Sequence, residues 1–284
     1  SPCIDTGTTE NAPVADMLGV LRPRGNGVDM GAYEFSLING ALPIVRVSAF
    51  STASMPDGQS WATAFPTIQT AVDYSGSGVE IWVAQGSYTT PIQGAVKQLK
   101  CAEQLYTAVA SLKAVTRLYG GFAGTETARE ERNSSAYPTI IDGQGEYRCI
   151  ASNDMAVVDG FTVQNGTANI GGGVSGGIVS NCIFTNNTAT EKGGAFVNGM
   201  AVNCLFTGNV APTGGAMADG VAMSCTLSGN IADTGSAISH GVVVNSILWG
   251  NGTNEVDTAE VSYSCLSAAV SGGVGISPEA QAFD

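Results

Sequence analysis

Positive charge is scarce in this chain. Eleven Lys and Arg stand against 24 Asp and Glu, and His240 is the single histidine. After Arg148 there is no arginine, and Lys192 is the only lysine. The net charge of −13 argues against nucleic acid and anionic membrane surfaces as partners, since both are held by Lys and Arg. Charged residues make up only 12% of the chain and aromatics 7%, so helices laced with ion pairs are not expected. No run of 18 apolar residues occurs, which excludes a membrane-spanning helix. No secretory leader is recognisable, and the abrupt start at Ser1-Pro2-Cys3 reads as that of a processed product or an excised fragment. The seven cysteines include no Cys-x-x-Cys pair, and one histidine does not complete a zinc site.

Glycine, at 38 of 284 residues, is abundant, and it punctuates a repeat. Asn165, Asn187, Asn209, Asn230 and Asn251 recur at steps of 22, 22, 21 and 21. Three further columns keep phase with them. They are Cys182, Cys204, Cys225 and Ser246; Phe184, Phe206, Leu227 and Leu248; and Gly172, Gly194, Gly215 and Ser236. Such a period with several columns in register marks a solenoid, in which each coil buries its apolar side only against its neighbours. Cys182 and Phe184 are two apart, so they share one face of a strand. Period-two alternation, short apolar runs and glycine turns mean strands. The leucine framework of a leucine-rich repeat is missing. The expected fold is therefore all-β, a right-handed parallel β-helix with about 21–22 positions and about three short strands per coil.

In that fold Cys182, Cys204, Cys225, Phe184, Phe206, Leu227 and Leu248 form the core column. Cysteines there pack as small free hydrophobes in preference to disulfides. The five asparagines are expected to form a structural ladder, each at a left-handed corner, with amides bonding along the axis at the strand spacing of about 4.8 Å. Asn133, Asn165, Asn186 and Asn251 also sit in N-x-Ser/Thr sequons, but the ladder accounts for the register without glycosylation.

Before the regular coils of 156–266, residues 1–40 read as a separate terminal segment and 41–284 as the β-helix. Ile44 to Phe50 is an early strand. Within 59–80 a short capping helix opens near Pro66 and places Ile68, Ala71 and Val72 on one side. Glu80–Ala84, Arg117–Phe122 and Thr139–Asp142 read as early coils, with 88–114 as an insertion. Such a cap shields the open edge of the first coil.

Two groups of motifs carry a resemblance. Ser1-Pro2-Cys3-Ile4-Asp5-Thr6-Gly7, then Asp16, Gly19 and Arg22, then Val28-Asp29-Met30-Gly31-Ala32-Tyr33-Glu34 resemble the terminal motif of bacterial choice-of-anchor surface proteins. Ser60-Trp61-Ala62, Ile81-Trp82-Val83-Ala84 and Tyr119-Gly120-Gly121-Phe122-Ala123-Gly124-Thr125-Glu126-Thr127 are similar to the start of pectate-lyase-like β-helices, polymorphic outer-membrane adhesins among them. The resemblance implies a surface or extracellular location. It leaves activity open, because the fold hosts lyases, hydrolases and non-enzymatic adhesins. In the family the Ser-Pro-Cys-Ile-Asp motif closes a β-helix, after a segment like Ile276 to Asp284. Here the order is reversed. One reading is a fragment of a tandem array. The other is a subunit whose residues 1–40 complete the end of the next copy, with Ile4, Val28, Met30 and Tyr33 buried at a head-to-tail interface.

A lyase on this fold needs a calcium-binding carboxylate cluster and an Arg or Lys base, and a hydrolase needs paired carboxylates. Neither is in the coil sequence. Asp142-Gly143-Gln144-Gly145-Glu146 reads as a plain turn, and His240 as a surface residue. Arg22 is expected either to pair with Asp29 or Glu34 or to stay solvated. The sequence thus points to a non-catalytic structural unit of a stalk, matrix or filament, with no metal or cofactor, and copies of itself or other surface components as partners. An adhesion module for glycan or protein is the alternative, and a polysaccharide lyase or hydrolase comes last.

Overall fold

The computed structural model describes residues 43–75, 78–89, 108–113, 115–152, 155–252, 254–267 and 281–282. The segment 1–40, with Ile4, Arg22, Val28, Met30 and Tyr33, lies outside the described residues, as do Cys3, Cys101 and most of Ile276 to Asp284.

The chain forms a parallel β-solenoid. Among the described residues every pairing between strands is parallel, as expected of a chain that circles one axis. Each full coil contributes to three faces. The first runs through Ala108–Ser111, Arg148–Ala151, Val174–Ser175 and Phe196–Val197. The second runs through Ile44–Val47, Glu80–Ala84, Arg117–Phe122, Val157–Asp159, Ile178–Ser180 and Met200–Val202. Met217–Met223, Ile238–Val244 and Val256–Ser262 are long enough to serve both. The third runs from Gly86–Tyr88 through Thr139–Asp142, Thr162–Gln164, Ile183–Thr185, Leu205–Thr207, Thr226–Ser228 and Ile247–Trp249 to Cys265–Leu266 and Gln281–Ala282.

Coils turn at residues held in the left-handed region. Asn181, Asn203, Ser224, Asn245 and Tyr263 stand at one corner with φ of 52°, 53°, 53°, 52° and 49°. Asn165, Asn186, Gly208, Gly229 and Gly250 stand at another with φ of 51°, 55°, 66°, 67° and 64°. Asn and Gly carry the least penalty there, which is why they recur. Glycine also serves close approach. A Cβ at Gly172 would overlap the Thr188 carbonyl oxygen, and one at Gly194 the Gly215 carbonyl oxygen, so that column lets the backbone fold across the coil end.

The interior follows the predicted columns. Phe184, Phe206, Leu227 and Leu248 are fully enclosed, and the Phe184 and Phe206 rings stack with centroids 4.7 Å apart. Cys182, Cys204 and Cys225 are buried and free. Their neighbouring thiols and then burial hold the Cys204 thiol far above the usual cysteine range. Burial likewise pushes Cys149 up to about 12. These groups act as small core residues.

The helix Ile68–Tyr74 is capped by Thr67, whose hydroxyl accepts from the Thr70 N–H. Pro66 therefore precedes the cap. Ile68, Ala71 and Val72 are buried, and Gln69 accepts from the Ser111 N–H. The span read as an insertion thus includes the buried strand Ala108–Ser111; residues 90–107 lie outside the described residues.

Candidate functional site: amide ladders and the corner groove

Pairing in the third face decides which asparagines stack. Gln164 pairs with Thr185, a step of 21, whereas Thr185 pairs with Thr207, a step of 22. The position below Asn187 is therefore Gly166, and Asn165 falls below Asn186. Asn165 is corrected accordingly: it is a left-handed corner residue and its amide donates to Asp142 Oδ1 at 3.1 Å. The four true members, Asn187, Asn209, Asn230 and Asn251, stand one residue past the corner, outside the left-handed region. The corner preference of asparagine explains residue 186 and its kin, and hydrogen bonding explains the ladder.

The ladder is continuous. Gly166 N–H donates to Asn187 Oδ1 at 2.8 Å. Asn187 donates both its N–H and its Nδ2 to Asn209 Oδ1, at 3.0 and 2.9 Å. Asn209 does the same to Asn230, and Asn230 to Asn251. The second Nδ2 hydrogen of each reaches a core-strand carbonyl: Val163, Phe184, Phe206 and Leu227 in turn. Asn187, Asn209 and Asn230 have no exposed surface, so these bonds satisfy groups that would otherwise be costly to bury. The next coil is shorter. Ile247 pairs with Cys265, a step of 18, and Glu255 fills the place of a fifth amide. Its Oε1 accepts from Asn251 Nδ2 at 2.9 Å, while its Oε2 is buried without a partner.

A second ladder runs outside the corner between the second and third faces. Asn203 Nδ2 donates to Asn181 Oδ1 at 2.7 Å, and Asn181 Nδ2 to Asp159 Oδ2 at 2.8 Å. Asn245 donates to Ser224 Oγ. Asp159 also takes the Ser180 hydroxyl and pairs with Arg132 at 2.5 Å. Arg132 in turn lies over the Tyr119 ring. The 132–135 loop and this corner enclose an open groove of about 760 Å³, with the aliphatic outer side of Ile183 and Leu205 as its floor. The sequence signal was present: Asn181, Asn203 and Asn245 each precede a member of the Cys/Ser column.

Several other carboxylates are tied down. Glu126 accepts from the N–H groups of Ala123, Gly124 and Thr125. Burial raises its pKa, and these donors more than offset that, leaving it below the usual carboxylate range. Asp142 is likewise raised by burial and lowered further by Gln164, the Gln144 N–H and Asn165. It closes the turn 142–147. Lys192 pairs with Asp219 at 2.6 Å. Exposed His240 contacts Ser239, which donates to Asp257. Trp61, Trp82, Phe122 and Glu126, drawn from the three pectate-lyase-like motifs, meet in one cluster outside the first coils. Trp82 and Phe122 stack at 4.8 Å, and Trp61 Nε1 donates to the Glu126 carbonyl. Among the described residues no three His, Cys, Asp or Glu side chains converge on a metal position.

No family model, curated protein or solved structure matches the chain.

Proposed function

We propose that this protein is a non-catalytic, extracellular structural unit: a stiff β-helix that serves in a surface stalk, matrix or filament. The observation that carries the reading is the use made of buried carboxylates. Glu126 ties a loop to itself, Asp159 joins Arg132 to the corner ladder, and Glu255 terminates the inner ladder. Each is used to hold the fold's own backbone and side chains, whereas catalytic carboxylates are held towards a substrate. Assembly is head-to-tail, with residues 1–40 of one copy completing the C-terminal coils of the next.

Electron microscopy of the full chain and of a chain lacking residues 1–40 tests this. Filaments are expected from the first only. The same filaments from both, or a full chain that stays monomeric at high concentration, would remove the head-to-tail scheme. Incubation with pectin or alginate, with and without calcium, is expected to release no product, and turnover abolished by one carboxylate change would overturn the non-catalytic reading.

The groove favours a second reading, adhesion to a neutral glycan or an extended peptide. Its walls offer amides and hydroxyls above an aliphatic floor, with its one ion pair internally neutralised. Binding of such polymers that is lost on Asn203→Ala, with the melting temperature kept, would support it.

A further inference from the structure

The outward side of the second face divides sharply along its length. Its register aligns two straight columns. One is Glu80, Arg117, Val157, Ile178, Met200, Val221, Val242 and Glu260. The other is Trp82, Tyr119, Asp159, Ser180, Val202, Met223, Val244 and Ser262. The first members of the second column are covered from within the chain: Trp82 by Phe122, and Tyr119 by Arg129 and Arg132. Val157 to Val242 of the first column and Val202, Met223 and Val244 of the second are apolar, and nothing among the described residues covers them. Ile178, Met200 and Met223 are 36%, 37% and 39% exposed. A contiguous apolar sheet face with a polar rim is the mark of an interaction surface.

The first column also has a symmetry. Counting strands outward from Met200, Ile178 matches Val221, Val157 matches Val242, and Arg117 matches Glu260. Arg117 and Glu260 are both exposed, and neither has an ion-pair partner among the described residues. We propose that this face joins two copies of the chain about a two-fold axis that runs along the strands and passes over Met200. The two solenoids then lie antiparallel, with their sheets face to face at the usual spacing of about 10 Å. Met200 meets Met200, the valines and isoleucine meet their counterparts, and Arg117 of each copy meets Glu260 of the other. The contact is isologous, as a two-fold requires. With parallel solenoids the two columns would instead face each other, and the cation and anion would not meet.

The area places the contact among weak interfaces. Seven strands at about 4.8 Å under the first column, about 8 Å wide with its margin, and four strands under the open part of the second, about 7 Å wide, give roughly 400 Å² per copy. A total of about 800 Å² lies below the standard size for specific interfaces, so a weak, reversible dimer in the micromolar range is expected. This lateral contact is independent of head-to-tail assembly, which uses the coil ends.

Sedimentation velocity of the chain from about 1 to 300 μM at low salt tests it. The expected result is a reversible monomer–dimer equilibrium. Met200→Glu, which sets two carboxylates against each other at the axis, should weaken it at least tenfold. Arg117→Glu should weaken it severalfold, and Arg117→Glu with Glu260→Arg should restore it. Circular dichroism melts of each variant confirm that the exposed changes leave the fold intact. In Met200→Cys a short bis-maleimide should join residue 200 of one copy to residue 200 of the other, read by mass spectrometry of the peptide. Three outcomes overturn the proposal: a monomer throughout the range, a dimer unaffected by Met200→Glu, or a charge swap that fails to restore what Arg117→Glu removed. A chain lacking residues 1–42 that dimerises where the full chain does not would assign the face to the protein's own N-terminal segment instead, and would equally end it.

Discussion

At the scale of single residues, stability rests on amides that both give and take. Asn209 accepts two hydrogen bonds from Asn187 and donates to Asn230 and to the Phe184 carbonyl. Asn209→Ala removes all of these and strands buried donors on Asn187, so a loss of about 2–4 kcal/mol is expected in denaturant unfolding. Asn209→Asp keeps the acceptor and destroys the donor, setting a carboxylate against two carbonyl oxygens. It should cost at least as much as the alanine at neutral pH. Equal stability of Asn209→Asp and the parent would show that the amide hydrogens do not matter. Glu126 makes the opposite case, a carboxylate that only accepts. Its folded pKa is depressed, so its contribution is complete above the unfolded value of about 4.3 and is lost as pH falls through the lower folded value. Glu126→Gln should therefore be less stable than the parent by about 1–2 kcal/mol at pH 7, and the gap between their melting curves should close in the acid limb. A gap that stays constant with pH would remove the carboxylate from the account.

At the scale of the coil, length decides what each position becomes. Much of this was legible. The Cys, Phe/Leu and Gly columns, the strands Glu80–Ala84, Arg117–Phe122 and Thr139–Asp142, and a helix burying Ile68, Ala71 and Val72 all stand where the pattern put them. What misled was a near-constant spacing. Asn165 precedes Asn187 by the same 22 that separates Asn187 from Asn209, but the coil between is 21 long, so equal spacing concealed a shift of one place. Glu255 was invisible because it reaches the ladder only where the coil step shortens to 18. The apolar outer side of the second face was missed for another reason. Runs such as Met200-Ala201-Val202 and Val242-Val243-Val244 are apolar on both sides, and a continuous apolar run reads as a strand buried on both faces. The Trp61–Trp82–Phe122 cluster joins residues too far apart in sequence for any local pattern to link. Coil length also sets a test. Glu255→Gln keeps the acceptor for Asn251 and replaces a buried carboxylate by a neutral amide. It should leave unfolding free energy unchanged or raise it by up to about 1 kcal/mol, whereas Glu255→Ala should lower it by about 1–3 kcal/mol. A glutamine as costly as the alanine would mean that the charge itself holds the ladder end.

At the scale of the whole molecule, the solenoid has a direction and two unlike ends. One end carries the helix Ile68–Tyr74 against the first strands, and the other carries the short strand Gln281–Ala282. Unlike ends suit a unit that adds in one sense, and the proposed lateral contact on the second face would bind such rods side by side. Removing residues 1–40 should thus abolish lengthening and leave lateral pairing in place. The stacked geometry has a mechanical meaning as well. Strands lie across the long axis, so the bonds between coils point along it. A pull on the two ends loads these junctions in series, each held by its own strand ladders and, from Gly166 to Glu255, by one link of the asparagine chain as well. The molecule is then as strong in tension as its weakest junction. The two-residue pairing of Cys265–Leu266 with Gln281–Ala282, beyond the point where the amide chain ends in Glu255, is where a stretched rod of this kind would part first.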